Sequence, residues 1–164
     1  MKKMHTTKNS LSPKIRTQVA AILNQSLADL SDLYSQTKQA HWNVRGPLFI
    51  SMHKLFDELA SAVEAHLDEI AERVTALGAV ALGTVRLAAA NSQLKEFPIK
   101  ESADVIYLTA VTDRFAFCAN ATRQAIDDID KLGDADSADL LTAVSRALDK
   151  ALWMLEAHTP ESAK

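Results

Sequence analysis

Residues that break helices are confined to a few places in this chain, and that confinement decides most of what it can fold into. Glycine occurs only at 46, 78, 83 and 133, and proline only at 13, 47, 98 and 160. Between these points run long stretches in which apolar residues recur at three and four, the spacing of an amphipathic helix. Ser12 followed by Pro13 suits a helix start. From there Val19, Ile22, Leu23, Leu27, Leu30, Leu33 and Tyr34 mark one stripe down to about residue 42. Gly46 and Pro47 turn the chain, and a second helix is expected from about 48 to Leu77, stopped by Gly78. The interval 79–101, interrupted by Gly83 and Pro98, reads as a long crossover with room for one short helix. Leu108, Val111, Phe115, Ala119, Ile126 and Ile129 define a third helix over about 102–132. Leu141, Val144, Leu148, Leu152 and Leu155 define a fourth over about 136–157. The fold class is therefore all-α: a four-helix bundle whose long middle connection spans its length.

A chain of 164 residues, 48% of them hydrophobic, suits one compact domain. We expect a basic tail at 1–11, the bundle at 12–158 and a short C-terminal tail at 159–164. Cys118 is the sole cysteine, so no internal disulfide forms, and its place beside Phe117 favours packing. There is no run of about 18 apolar residues and no apolar core near the N-terminus. A cytoplasmic location is expected. The net charge of −3 conceals an asymmetry, since residues 1–28 hold Lys2, Lys3, Lys8, Lys14 and Arg16 but no acid. A mobile cationic tail of this kind suits phosphate contacts, although a plain solvated terminus has the same composition.

The chemistry is concentrated around HWNVRGPLFISMHKLFD, residues 41–57. At about 100° per residue, His53, Asp57, Asp68 and Glu72 share one face of the second helix. His53 and Glu72 are nevertheless about 28 Å apart along the axis, too far to hold one ion. The pairs 53/72 and 57/68 have the common midpoint 62.5. Two copies of the helix packed antiparallel about a two-fold axis would thus set His53 and Asp57 of one chain against Glu72 and Asp68 of the other. A hairpin turning at 47 brings His41 level with His53. The result is two histidines and one carboxylate from one chain with two carboxylates from its partner. Such a set suits Fe(II), Mn(II) or Zn(II), and the absence of thiolates disfavours structural zinc. Ser61 and Glu64 share the same midpoint and are expected to meet near the axis. His66, about 180° away, is expected in the core or behind the ligands. The Glu-x-x-His pair of a single-chain di-iron bundle is missing.

Three segments, KQAHWNVRG at 38–46, MHKLFD with HLDEIAERVTALGAVALGT through 84, and SADLLTAVSRALDKALW at 137–153, resemble the Dps family of mini-ferritins, DNA-binding proteins from starved cells. The resemblance covers roughly half the chain and implies a ferritin-like bundle assembled as a homo-dodecamer. It also implies a ferroxidase centre, with two iron ions per intersubunit site, at His41, His53, Asp57, Asp68 and Glu72. Such a cage would oxidise Fe(II), preferably with hydrogen peroxide rather than oxygen, and store the ferric mineral. Trp42 would donate an electron to intercept a stray radical, with plain packing as the alternative. Asp134, Asp136 and Asp139 would line an ion pore, Asp139 foremost, although carboxylates there also cap a helix. Arg73 and Asp149 match positions that suit a structural salt bridge. Double-stranded DNA would be bound without sequence preference by the tail lysines and Arg16, giving a nucleoid-associated protein. Two other readings compete: a structural protein that mainly compacts DNA, and a cage that binds zinc or manganese without iron turnover.

Overall fold

The computed structural model describes residues 4–158. Lys2 and Lys3 of the expected tail, and the whole 159–164 segment, lie outside the described residues. Five helices follow in order: α1 (Pro13–Asn43), α2 (Phe49–Ala76), α3 (Val85–Asn91), α4 (Asp104–Leu132) and α5 (Ala135–Glu156). Helix α1 packs on α2, α4 on α5, α1 on α4 and α2 on α5, while α3 lies in the crossover against α1. This is the four-helix bundle expected from the apolar spacing. Among the described residues no helix is long and apolar enough to cross a membrane.

The helix ends follow local chemistry. Ser12 Oγ accepts from the Ile15 amide and Pro13 opens α1, while Thr84 caps α3 and Asp134 caps α5. Gly133 ends α4 in the left-handed conformation, and Gly78 follows α2 with φ of +85°. Helix α2 has no side-chain cap of its own and no acid in its first turn. The Leu48 amide instead donates to Asp104 Oδ2, 56 residues away, at 2.7 Å.

Val19, Leu23 and Leu33 of α1, Phe56 and Ile70 of α2, Phe115 and Ile129 of α4, and Leu141 and Leu155 of α5 are fully buried. Each removes about 1.5–3 kcal/mol worth of apolar side chain from water. Ile22, Tyr34, Ile126 and Leu152, expected on the same stripes, are only partly buried and pack at the margins. Cys118 is buried, as packing requires, and burial pushes its thiol well above the usual range.

The crossover is tied to α1 by polar side chains. Asn24 clasps Val80 and Leu82, Asp29 accepts from the Gln93 amide, and Asp32 accepts from Ser92 Oγ. These bonds satisfy irregular backbone that has no helix or sheet ladder to join.

Two expectations about charge change here. Arg16, placed in the DNA-binding tail, is buried and donates from Nη1 to the Leu77 carbonyl at 2.8 Å and from Nε to the Leu11 carbonyl. It satisfies acceptors at the end of α2 and faces no solvent. At His5 the described part of the tail touches the body, because the His5 amide donates to the Gly78 carbonyl at 2.7 Å. Lys8 and Lys14 remain exposed. Second, Arg73 does not pair with Asp149. Its Nη2 reaches Asp134 Oδ1 at 2.7 Å, and Asp149 pairs with Arg123 across α4 and α5. Arg73 lies on the last turns of α2, next to the start of α5, and Asp149 lies well along α5, near Arg123 of α4.

Candidate metal centre

The turn at 44–48 folds α2 back along α1 and stacks the His41 and His53 rings, with centroids 3.9 Å apart and planes 21° from parallel. Each ring is held by the other's backbone. His41 Nδ1 donates to the His53 carbonyl at 2.7 Å, and His53 Nδ1 donates to the His41 carbonyl at 2.8 Å. A carbonyl oxygen can only accept, so each Nδ1 carries a proton, and it is Nε2 that is left to offer a lone pair to a metal. This is how a metal-ligating histidine is oriented: one nitrogen anchored, the other aimed.

Asp57, one turn beyond His53, brings its Oδ1 to 3.8 Å from His41 Nε2. Lys38 Nζ also donates to that oxygen at 2.6 Å. The Lys38 hydrogen bond holds the Asp57 carboxyl below the usual carboxylate range, with its charge and the two imidazoles adding to the effect against partial desolvation. The Asp57 side chain is half exposed, so solvent screens this pair and the ammonium is easily exchanged for another cation. The sequence pattern does not single out Lys38, although it falls one turn before His41 on α1. Its ammonium also lies 5.9 Å from the centre of the Trp42 ring. Trp42 is 66% exposed, which removes a core-packing role within the protomer.

Asp68 and Glu72 do not join this cluster. Both are exposed on α2, and neither takes part in an ion pair among the described residues. Ser61 and Glu64 are exposed as well. Among the described residues, no three His, Cys, Asp or Glu side chains of one protomer are arranged to hold a metal ion. His66 is partly buried beside Leu59 and Phe115, with Nδ1 donating to Glu69 Oε2 at 3.0 Å.

Of the three aspartates expected at a pore, Asp134 is removed by the structure. It is 2% exposed, and its carboxylate takes bonds from Arg73, from Ser137 Oγ at 2.6 Å and from the Ser137 amide. The cap and the ion pair use the acceptor capacity that a passing ion would need. Asp136 and Asp139 are exposed on the first turns of α5.

Comparison with known proteins agrees with this geometry. A ferritin-like domain model matches residues 20–161. The DNA protection during starvation protein of Agrobacterium fabrum is 46% identical over 97% of this chain and 98% of its own length. The protein of the same name from Brevibacillus brevis is 34% identical over 90% of this chain and 98% of its own. Among solved structures, Mycobacterium smegmatis Dps superposes with a TM-score of 0.91 at 32% identity, covering 98% of this chain and 96% of that one. A Vibrio cholerae Dps protein, described as a member of a broad superfamily of ferritin-like diiron-carboxylate proteins, superposes with a TM-score of 0.86 at 25% identity, over 96% of this chain and 98% of that one. The helical order, the histidine hairpin and these matches together show that the chain belongs to the ferritin-like family and, within it, to the Dps proteins.

Proposed function

We propose that this protein is a ferroxidase and iron store whose sites form between two-fold-related protomers. The observation that carries this reading is the mutual His41–His53 lock beside Asp57, in a protomer whose described residues hold no three-ligand metal site of their own. Antiparallel pairing of two α2 helices supplies Asp68 and Glu72 of the partner, because the four α2 ligands are symmetric about position 62.5. Each dimer then has two equivalent sites, and twelve protomers enclose a cavity for ferric mineral.

Fe(II) is the substrate. A first ion displaces the Lys38 ammonium from Asp57 and takes the Nε2 lone pairs. A second ion, held mainly by carboxylates, lies beside it. Two Fe(II) ions each lose one electron, the O–O bond of hydrogen peroxide takes both, and two protons complete two waters. No one-electron product is left to form hydroxyl radical, which is the sense in which such a cage protects DNA. Trp42, exposed beside His41, can give an electron to any radical that does form. Asp136 and Asp139 are the remaining carboxylates of the proposed ion pore.

DNA binding is a secondary part of this proposal. With Arg16 buried, it falls to Lys2, Lys3, Lys8 and Lys14, multiplied over the copies in a cage. Such binding is independent of sequence and weakens steeply with salt.

Stopped-flow oxidation of Fe(II) by peroxide and by oxygen tests the site. The His53→Ala, Asp57→Ala double variant should lose at least about 100-fold in rate, the upper end of what loss of a ligand's hydrogen-bond partner costs, while eluting at the size of the intact assembly. Equal rates for it and the unmodified protein would reject the site. Metal bound without iron turnover would favour the zinc or manganese cage.

A further inference from the structure

The α1–α2 turn joins the two locked histidines, and beyond its own bond from the Phe49 amide to the Gly46 carbonyl at 3.0 Å it is tied to the start of α4. Gly46 has φ of +141°, and a Cβ on it would fall 2.4 Å from Asp104 Oδ2, so the carboxylate is seated directly on the glycine. Three bonds join the start of α4 to this turn. The Arg45 amide donates to the Ser102 carbonyl at 2.8 Å, the Asp104 amide donates to the Arg45 carbonyl at 2.8 Å, and the Leu48 amide donates to Asp104 Oδ2 at 2.7 Å. Asp104 is 5% exposed, whereas Leu48, Phe49 and Ile50 around it face solvent.

Helix α2 begins without a side-chain cap or a first-turn acid of its own. Instead the amide of Leu48, the residue at its N-cap position, donates to Asp104 Oδ2, which sets a carboxylate beside the positive dipole end of the helix. His53 follows Leu48 by five residues, little more than one turn. Any fraying or sliding of that turn moves both the His53 ring and the His53 carbonyl, and the latter anchors His41. We infer that Asp104 is a positioning residue of the iron site: by capping α2 from the start of α4, it fixes the register in which His41 and His53 present their Nε2 atoms. The inference rests on the ferroxidase reading of the site. It assigns a function to a buried carboxylate that touches no ligand.

The test uses the assembled full-length protein with Asp104→Ser and Asp104→Asn. Serine suits a helix start, so α4 keeps its beginning, but it is too short to reach Leu48. Asparagine keeps an acceptor oxygen at the same distance. Binding of Co(II), read from its visible absorption, should weaken about tenfold in Asp104→Ser, the size of effect typical for outer partners of metal ligands. The Fe(II) concentration giving half-maximal oxidation rate should rise in step, with the maximal rate changed less than about threefold. Asp104→Asn should recover most of the affinity. Ser12→Ala, which removes the α1 cap at the far end of that helix, should leave Co(II) binding unchanged. Unaltered Co(II) binding in Asp104→Ser would overturn the inference, as would an equal loss in Asp104→Asn or in Ser12→Ala. If the unmodified protein neither binds Co(II) nor oxidises Fe(II), it is the ferroxidase reading that fails.

Discussion

The two ends of α2 each set an aspartate against a basic side chain, and the two pairs have opposite physical characters. At the N-terminal end, Asp57 meets Lys38 in a half-exposed pair. At the C-terminal end, Arg73 meets Asp134, which is buried and also bound by Ser137. Lysine offers a compact ammonium on a flexible stem, which another cation can replace. Arginine offers a planar fork that fixes geometry, and here its Nε bonds Ser137 Oγ while Nη2 bonds Asp134. The first pair thus keeps the Asp57 carboxylate charged and available to the proposed metal site, and the second fastens the start of α5 to α2. What separates a site from a scaffold on the same helix is the exposure and exchangeability of the pair, since the residue types are nearly the same.

The most severe test of this contrast mixes protomers. His53→Ala and Glu72→Ala should each reduce iron oxidation about 100-fold. Dissociated and reassembled together at equal amounts, they should regain about a quarter of the original sites, because each mixed two-fold dimer has one intact centre. No recovery in an otherwise reassembled cage would mean that one protomer supplies both residues to each site. Next in size, Arg73→Met leaves Asp134 buried without its cation and should cost about 3 kcal/mol, read as a lower thermal midpoint. Lys38→Met, which breaks a solvent-screened pair, should shift the thermal midpoint far less. A reversal of that order would show that the Asp57 pair is the structural one.

Lys38→Met should instead tighten Co(II) binding severalfold by removing a competitor for Asp57, observed by titration at neutral pH. The same variant sharpens the pH behaviour. The Asp57 carboxyl lies below its ordinary value of 3.8 because of Lys38. The pair therefore contributes fully above that value and is lost as pH falls through the lower folded-state value. In Lys38→Met the Asp57 titration, followed by carboxyl NMR, should move up toward 3.8; an unmoved midpoint would mean that the imidazoles rather than Lys38 set it. The smallest effect is expected at the N-terminus. Neutralising Lys2, Lys3 and Lys8 should weaken DNA retention at low salt without altering iron oxidation, whereas Arg16→Ala should lower stability by about 2 kcal/mol through its carbonyl partners.

Much of this arrangement is legible in the order of the amino acids. Apolar spacing and four glycines locate the helices to within a residue or two, because helix periodicity is a local property. The common face of His53, Asp57, Asp68 and Glu72 follows from the same periodicity. Periodicity does not say which way a carboxylate turns. Asp134 reads equally as a pore residue or a cap until Arg73 is seen 61 residues away in sequence and adjacent in space. Arg16 reads as a tail cation until the Leu77 carbonyl appears beside its guanidinium.

The sequence by itself determined four amphipathic helices, a hairpin that pairs two histidines, and the common face of His53, Asp57, Asp68 and Glu72 on α2. Tertiary structure alone decided that each histidine is anchored through Nδ1, that Lys38 occupies Asp57, that Arg73 selects Asp134 over Asp149, and that Asp104 caps α2. The physical reason is range. Helix formation and facing depend on residues three and four apart, whereas a hydrogen bond between helices depends on how their backbones pack, to within a few tenths of an ångström.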